Sequence, residues 1–412
     1  MTRLERCDVA VVGGGSAGVA AALAAARLGA RTLLFESQTE LGGNVAHALV
    51  HTICGLYFND AESPVLAQPG IAAQVAQRLA RHERAAPPER AGRVWYLPTR
   101  PAEVVATYTE LCRAERALEV RLASRAVAGV LAAESSQESA LRIEGPDGTG
   151  DVRAKVVVEA GGSADLACAA GADTELAAPE ELQRASYIFR IEGADTSQLA
   201  GFARLRLNAA LATGVRAGAL APGSDAIVVR ASGRPGELFA TLNLPRPDGD
   251  VREARASAEA IFRYLRETRP AFAEARLAQC AERLGVREGR RIAGLLRVTA
   301  EDVLSGRRRD DEVALSTWPI ELWQSHQRPV FEMPSGACSV PLGALISRSH
   351  ARLGAAGRCL SATREALGAL RVIGTSLATG EAIGVAAALA AERGKALAEI
   401  APSEIRGRVR SP

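Results

Sequence analysis

Short runs of consecutive apolar residues, separated by glycine-rich turns and long alanine-rich stretches, set the pattern of this chain. Residues 8–12 form such a run, as a strand buried on both faces of a parallel sheet does. It passes at once through Gly13-Gly14-Gly15-Ser16-Ala17-Gly18 into an alanine-rich helical stretch that reaches Leu28. A second run, 31–35, predicts a strand ending in Glu36. Residues 119–122, 126–132, 140–143 and 154–158, with a Gly145-Pro146-Asp147-Gly148 turn, predict a β-meander returning to the sheet, then a loop into a short helix at 166–170. From about residue 179 the character changes. Strand-like segments at 186–191, 226–229 and 237–242 precede a long helical stretch, 251–284, interrupted by Pro270. The last part returns to the first style, with a strand at 339–342, a Gly357-Arg358 loop and a helix at 380–392 with Thr375, Ser376 and Thr379 as cap candidates. The expected class is α/β: a Rossmann-like nucleotide-binding domain, parallel sheet plus β-meander, built from residues 1–178 and 335–412. An α+β substrate-facing domain, 179–334, is inserted in it.

The first turn carries chemistry. Gly13 permits the turn, Gly15 lets backbone approach a pyrophosphate, and Gly18 allows close helix packing. The helix start at Ser16 and Ala17 offers unpaired N–H groups and a positive dipole end, so an anion binds there without a lysine. Glu36, 18 residues after Gly18 and followed by Ser37, suits ribose hydroxyls and repels a 2′-phosphate. Leu41-Gly42-Gly43, with Asn44 next, brings a second glycine pair near the same pyrophosphate. No second G-x-G-x-x-G occurs downstream, so one nucleotide site is expected, and FAD fits it better than NAD.

Composition narrows the class. The 412 residues are 48% hydrophobic and 24% charged, and 50 basic against 47 acidic residues leave a net charge of +3. Such a balance steers the chain toward neither nucleic acid nor a membrane surface. All but Lys155 and Lys395 of the basic residues are arginine, which coding bias explains better than a set of phosphate clamps. Seven scattered cysteines without a C-x-x-C pair favour a reducing cytoplasm over a disulfide framework or a zinc site. The N-terminus leaves no room for a secretory h-region, and the apolar stretches 17–28 and 383–391 are too short and too alanine-rich for a bilayer. A soluble protein is expected.

End to end, the chain resembles the FAD-dependent oxidoreductase family within the glutathione-reductase-like, two-dinucleotide-fold flavoproteins. The resemblance rests on 8–18 with Glu36, Leu41-Gly42-Gly43, 155–165 with Ala170-Gly171-Ala172, and 187–195. It continues through 285–294, Glu301-Asp302-Val303-Leu304, 357–362 and 370–384. It implies FAD held by Gly13, Gly15, Ser16, Ala17, Gly18, Glu36, Ser37, Gly42, Gly43, Asn44 and Gly162. Gly357 and Arg358 would meet the pyrophosphate and ribityl chain. Arg371, Val372, Ile373 and Gly374 would pass beside the flavin ring, where the following helix end faces the charge of the reduced ring. Similar proteins carry Asp-Ala-Thr-Gly-Asp where this chain has Glu159-Ala160-Gly161-Gly162-Ser163, losing a threonine and an acid near the adenine side.

Candidate catalytic residues fall in two stretches. Residues 44–59 hold His47, His51, Cys54, Tyr57 and Asn59. His47 and His51, four apart, would share a helix face as a base or a metal pair, but no third ligand is evident and no metal is expected. His51 is the candidate flavin-side acid/base, Cys54 a flavin attachment point, a thiol or a buried free cysteine. In the second stretch, 287–326, Arg291 aligns with an arginine usual in the family. It would hold a substrate carboxylate, or form a salt bridge to Glu301 or Asp302. Residues 307–312 read as a solvated charged loop, and His326 and Glu321 are displaced relatives of an acid and a histidine seen in similar chains. The leading expectation is an FAD-dependent oxidoreductase moving a hydride or two electrons between a small organic substrate and flavin. The alternatives are a flavin-dependent monooxygenase using transiently bound NAD(P)H and O2, or a maturation or partner protein with an eroded cofactor site. Nucleic acid and membrane insertion are not expected, the electron donor or acceptor is not named, and a homo-oligomer is left open.

Overall fold

The computed structural model describes residues 5–134, 136–199, 203–246 and 249–409. The expectation that no leader precedes the first strand falls on residues 1–4, outside the described residues. In chain order the first half comprises β1 (Glu5–Val12), α1 (Ser16–Arg27), β2 (Thr32–Phe35), α2 (Asn44–His47), β3 (Thr52–Cys54), α3 (Ile71–Leu79), β4 (Glu89–Ala91), β5 (Val94–Pro98), α4 (Pro101–Ala114), β6 (Leu118–Arg121), β7 (Arg125–Val130), β8 (Ser139–Gly145), β9 (Gly148–Glu159) and α5 (Asp165–Ala169). The middle holds β10 (Thr174–Glu175), β11 (Ser186–Glu192), α6 (Ala203–Arg216), β12 (Ile227–Ala231), β13 (Leu238–Asn243), α7 (Val251–Thr268) and β14 (Arg276–Cys280). The rest is β15 (Arg291–Ile292), α8 (Ala300–Leu304), β16 (Glu312–Ser316), β17 (Ile320–Leu322), β18 (Val330–Glu332), β19 (Cys338–Pro341), β20 (Leu353–Ala355), α9 (Arg364–Leu370), α10 (Ile373–Arg393) and α11 (Pro402–Val409).

The parallel sheet runs β6-β2-β1-β9, with β20 added along the second half of β9. Its strands are apolar without alternation because both faces are covered: Val9, Ala10, Val11 and Val156, Val157, Val158 are all fully buried. The meander is β7-β8-β9, antiparallel. The first strand expected of it, 119–122, instead falls on β6, Leu118–Arg121, which pairs parallel with β2 at the sheet's outer edge. The reason is α4, a crossover helix opened by Pro101 at its first turn, which carries the chain back to the start of the sheet.

A second core lies against the first. Here β12-β13-β11-β14 form an antiparallel sheet, and Tyr187, Phe189, Phe239, Ile261, Leu265 and Phe272 fill the space between it and its helices. Helix α7 is capped by Asp250, whose carboxylate accepts from the Arg252 and Glu253 amides at 2.8 and 3.2 Å. It ends at Thr268, before Pro270, and residues 276–280 pair with β11 as a strand. The expected helix to 284 is therefore cut short, since proline stops it and the open edge of β11 recruits residues 276–280. This core draws on residues 185–281 and Leu49, whereas Val298, Val303, Val313, Ile320 and Leu322 join the first core.

The last helix is longer than its hydrophobic pattern indicates. It starts at Ile373, so Thr375, Ser376 and Thr379 lie inside it, and the Thr379 hydroxyl bonds back to the Thr375 carbonyl at 2.9 Å. Its glycines are packing devices: a Cβ on Gly380 would lie 2.1 Å from the Ala17 carbonyl oxygen, and one on Gly384 2.2 Å from that of Ala21. Helices α1 and α10 therefore meet backbone to backbone. Among the described residues α10 is the one helix long and apolar enough to cross a membrane, yet nearly all of it is buried inside the protein.

Candidate active site

The turn after β1 is shaped by what surrounds each glycine. A Cβ on Gly13 would lie 2.6 Å from Ala160 backbone, and one on Gly18 1.7 Å from the Gly13 oxygen. Gly15 is different, because a Cβ there meets nothing within 4 Å. Gly15 caps α1 without a side chain, and its carbonyl takes the first helical bond, from Val19 at 2.9 Å. The amides of Ser16, Ala17 and Gly18 precede that bond and so have no acceptor within the helix. Gly42 returns to this turn, donating its amide to the Gly14 carbonyl at 2.8 Å and bridging to Gly15, and Gly43 caps α2 ahead of Asn44. Glu36, only 6% exposed at the end of β2, accepts from the Gly14 amide at 2.7 Å, the Gln38 amide at 2.8 Å and the Ser37 hydroxyl at 3.1 Å.

The facing wall is Gly162 with Gly357 and Arg358. A Cβ on Gly162 would strike the Arg358 guanidinium, and the Gly162 amide donates to Cys359 Sγ at 3.2 Å. Arg358 and Asn44 converge on one acceptor, the Val286 carbonyl, Asn44 at 3.1 Å. The departure at 159–163 has its own internal order: the Glu159 carboxylate accepts from the Gly161 amide at 2.9 Å and the Ala167 amide at 3.2 Å, so it ties the loop to α5. Burial raises its carboxyl above the ordinary range despite those bonds.

Past Asn44 the candidates separate. Helix α2 ends at His47 and Leu49 turns with φ of 54°, so His51 shares no helix face with His47. His47 Nδ1 sits 3.0 Å from Glu282 Oε2. His51 is buried and stacked on Phe239, ring centroids 4.5 Å apart. Its Nδ1 lies 3.2 Å from the Leu49 carbonyl and must donate to it, which leaves Nε2 as a bare acceptor, buried without a partner. Burial pulls this imidazole down to about 3, so it is neutral. Burial also pushes the Cys54 thiol up to about 12 and the Tyr57 phenol up to about 12. Tyr57 lies in the first core and Asn59 donates to the Thr317 carbonyl. Arg291, 3% exposed, has Glu288 as partner at 3.3 Å, which also takes Arg364 at 3.4 Å. Neither Glu301 nor Asp302 is its partner; Asp302 forms the capping box of α8 with Thr299 and pairs with Arg307 at 3.0 Å. His326 lies 2.7 Å from Asp225, away from Glu321.

What gathers around Cys54 instead is Arg230 of β12, Glu321 of β17 and Arg371, all within electrostatic reach of its thiol. Glu321 accepts the indole N–H groups of Trp318 and Trp323 at 2.8 and 2.6 Å. Burial opposes its ionisation, but Arg371, the two indoles and Arg287 outweigh it and hold the carboxyl below its ordinary value. Arg371 donates to the Glu321 backbone carbonyl at 3.2 Å. Arg287 lies over Trp323, 4.8 Å from the ring centroid, and donates to Asn243 Oδ1 at 2.7 Å. Burial and the Arg371 charge pull Arg287 down to about 9. Arg230 and Tyr96 had no motif to announce them, and the one available signal was an arginine inside the apolar run of β12. The start of α10 completes the site, for a Cβ on Gly374 would lie 2.5 Å from Gly55 backbone, so the chain leaving β3 crosses directly over it.

A family model described as FAD dependent oxidoreductase matches residues 8–409. The chain belongs to this family. As an FAD-dependent oxidoreductase, it has a cradle that suits its cofactor: an uncapped helix start beside an open glycine, a paired-glycine return, and an acid at the end of β2. A comparison with curated proteins found no match. Among solved structures, p-nitrophenol 4-monooxygenase PnpA from Pseudomonas putida DLL-E4 is 14% identical with a TM-score of 0.50, covering 99% of this chain and 90% of that one. A geranylgeranyl bacteriochlorophyll reductase-like protein from Thermoplasma acidophilum is 14% identical, covering 100% and 93%, with a TM-score of 0.46. OxyS anhydrotetracycline hydroxylase from Streptomyces rimosus is 15% identical, covering 98% and 65%, with a TM-score of 0.48. At 14% identity the likeness to the first of these concerns the fold alone.

Proposed function

We propose that this FAD-dependent oxidoreductase carries out a two-electron oxidation or reduction of a small organic substrate, on the side bordered by β3, β12, β17 and the start of α10. The observation that carries the reading is the uncapped start of α1 facing the open side of Gly15, with Glu36 and Gly42–Asn44 converging on it. The amides of Ser16, Ala17 and Gly18 would hold the pyrophosphate, Glu36 and Ser37 the ribose, and Gly42, Gly43 and Asn44 the approach to the ring. Gly162, Gly357 and Arg358 would close the opposite side, and Arg371, Val372 and Gly374 would border the ring. Bound FAD supplies the two-electron redox chemistry, and the protein supplies position, a water-poor wall and charge. Neutral His51 can accept a proton-bearing group through Nε2 but cannot donate from it. Cys54 stays a thiol below about pH 12 and so suits a wall better than a nucleophile. Arg291, neutralised by Glu288, would position the chain between Gly289 and β15 without touching substrate. The single cradle supports a separate diffusible electron partner, and seven free cysteines support a reducing compartment such as the cytoplasm.

The test is purification with riboflavin supplied, followed by absorbance and single-turnover measurement. Flavin bound one per chain, with substrate-dependent bleaching under anaerobic conditions, is expected. Bleaching only with NADPH, followed by oxygen-dependent product formation, would replace this reading with a monooxygenase. Protein that gains no flavin absorbance on adding FAD would end it.

A further inference from the structure

We propose that the arginine cluster beside the start of α10 takes an organic carboxylate, gripped by Arg230 and Arg371 with Arg287 behind them. The proposal rests on that cluster being the substrate side of the flavin site.

Several part-buried arginines are matched by carboxylates, Arg100 by Glu237 at 2.8 Å, Arg190 by the same Glu237 at 2.8 Å, and Arg291 and Arg364 by Glu288 at 3.3 and 3.4 Å, whereas Arg352 and Arg358 each donate singly to a backbone carbonyl. Among the described residues, Arg230, Arg287 and Arg371 have no carboxylate within 4 Å, though they come from three separate parts of the chain. Glu321 lies within electrostatic reach of Arg371 and Arg287, but its oxygens hydrogen-bond neutral donors. Both oxygens of Glu321 accept an indole N–H, and Glu89 accepts the Tyr96 hydroxyl. Arg371 reaches only the backbone oxygen of Glu321, and its Nε is buried without an acceptor. Arg230 stands over the Tyr96 ring, 4.6 Å from its centroid, and Arg287 over Trp323. Arg230 and Arg287 thus each have a flat apolar backing.

Part-buried positive charges crowded this way are costly: the Arg371 charge adds to burial in lowering Arg287, burial lowers Arg371 itself, and the Glu321 charge offsets each only in part. A ligand carboxylate relieves both, and the planar two-nitrogen edge of a guanidinium matches its two oxygens better than it matches a halide. The arginines are backed by the rings of Tyr96 and Trp323, and the His51–Phe239 stack lies within electrostatic reach of Arg230, so the surroundings are aromatic and suit an aromatic carboxylate. His51 Nε2, an acceptor without a partner within electrostatic reach of Arg230, suits a hydroxyl or N–H on its ring.

The experiment titrates the full-length, FAD-loaded protein with acetate, benzoate and indole-3-acetate, using benzamide as the uncharged control and chloride as the competitor. Tryptophan fluorescence reports from Trp318 and Trp323, and the flavin bands are followed separately. Saturable binding of benzoate or indole-3-acetate at least tenfold tighter than benzamide is expected, weakened tenfold or more by Arg230→Met and by Arg371→Met. Arg371→Lys should recover only part of the affinity; Arg371→Met also strips Glu321 of a hydrogen-bond donor and a compensating charge, so melting temperatures are measured and Arg230→Met carries the test if that variant does not fold. Equal binding of benzoate and benzamide, no saturable carboxylate, chloride competing as well as benzoate, or unchanged affinity in both methionine variants would overturn the proposal. Flavin per chain is measured for each protein. Its absence would sink the flavin reading, while the fluorescence titration would still decide the carboxylate site.

Discussion

Glu381 offers a pH-dependent test of how α10 is built into the core. It is 6% exposed in the middle of that helix, and its carboxylate accepts the Ile71 amide at 2.8 Å, where α3 begins without a side-chain cap. Burial pushes its carboxyl up to about 7 from 4.5, against smaller opposing effects of that hydrogen bond and Arg27. A folded-state value raised above the unfolded one means that the folded protein holds the proton more tightly. The stabilisation is complete below about pH 4.5 and is lost as pH rises through 7. A shift of two to three units at about 1.4 kcal/mol each gives a loss of about 3 kcal/mol. Glu381→Gln keeps the shape and the acceptor for Ile71 and removes the titration. Urea denaturation of both proteins at pH 5 and pH 8 checks this: the glutamine variant should gain about 2.5 kcal/mol relative to the parent between the two pH values, since part of the loss falls outside that window. Other titrating groups, buried His51 among them, are common to both proteins and cancel in the difference. A difference between the two proteins that stays constant from pH 5 to pH 8 would refute the burial argument.

Gly15→Ala should leave the melting temperature of the flavin-free protein nearly unchanged, because nothing in the protein occupies the space, yet cut the bound flavin per chain by tenfold or more. Gly18→Ala should instead destabilise the protein by about 1–3 kcal/mol or prevent folding, which thermal denaturation without flavin will show. Glu36→Ala orphans the Gly14 and Gln38 amides and should lower stability by about 1–3 kcal/mol as well as weaken FAD binding, measured by urea titration and by flavin fluorescence. With His51 held near 3, the activity profile from pH 5 to 9 should carry no inflection from it, and His51→Asn should change the rate without moving any inflection in that range.

Much of the first core was legible because its signals are local. The β1 run, the glycine spacing to Gly18, the end of β2 at Glu36 and the paired Gly42-Gly43 all depend on steric rules that act within a few residues, and the structure brings them to one turn. Candidate side chains further on were not legible in this way. His47 and His51 are spaced for one helix face, but a four-residue helix and the Leu49 turn part them. Arg291 reads as a free carboxylate grip, yet Glu288, three residues before it, occupies it in a buried pair. The start of α10 was missed because glycines at 374, 380 and 384 weaken helix propensity. They are tolerated because Gly55, Ala17 and Ala21 backbone lies against them, and no local pattern records that contact.

By itself the sequence determined the family, the parallel sheet and the place of the phosphate cradle, since strand burial, a left-handed turn and an uncapped helix start are properties of short segments. Tertiary structure decided the charge state of His51 and Cys54, the edge position of β6 and the meeting of Arg230, Arg287 and Arg371 near Cys54 and Glu321. Those depend on burial and on residues far apart in the chain. Desolvation and unpaired charge exist only once the chain has closed around them.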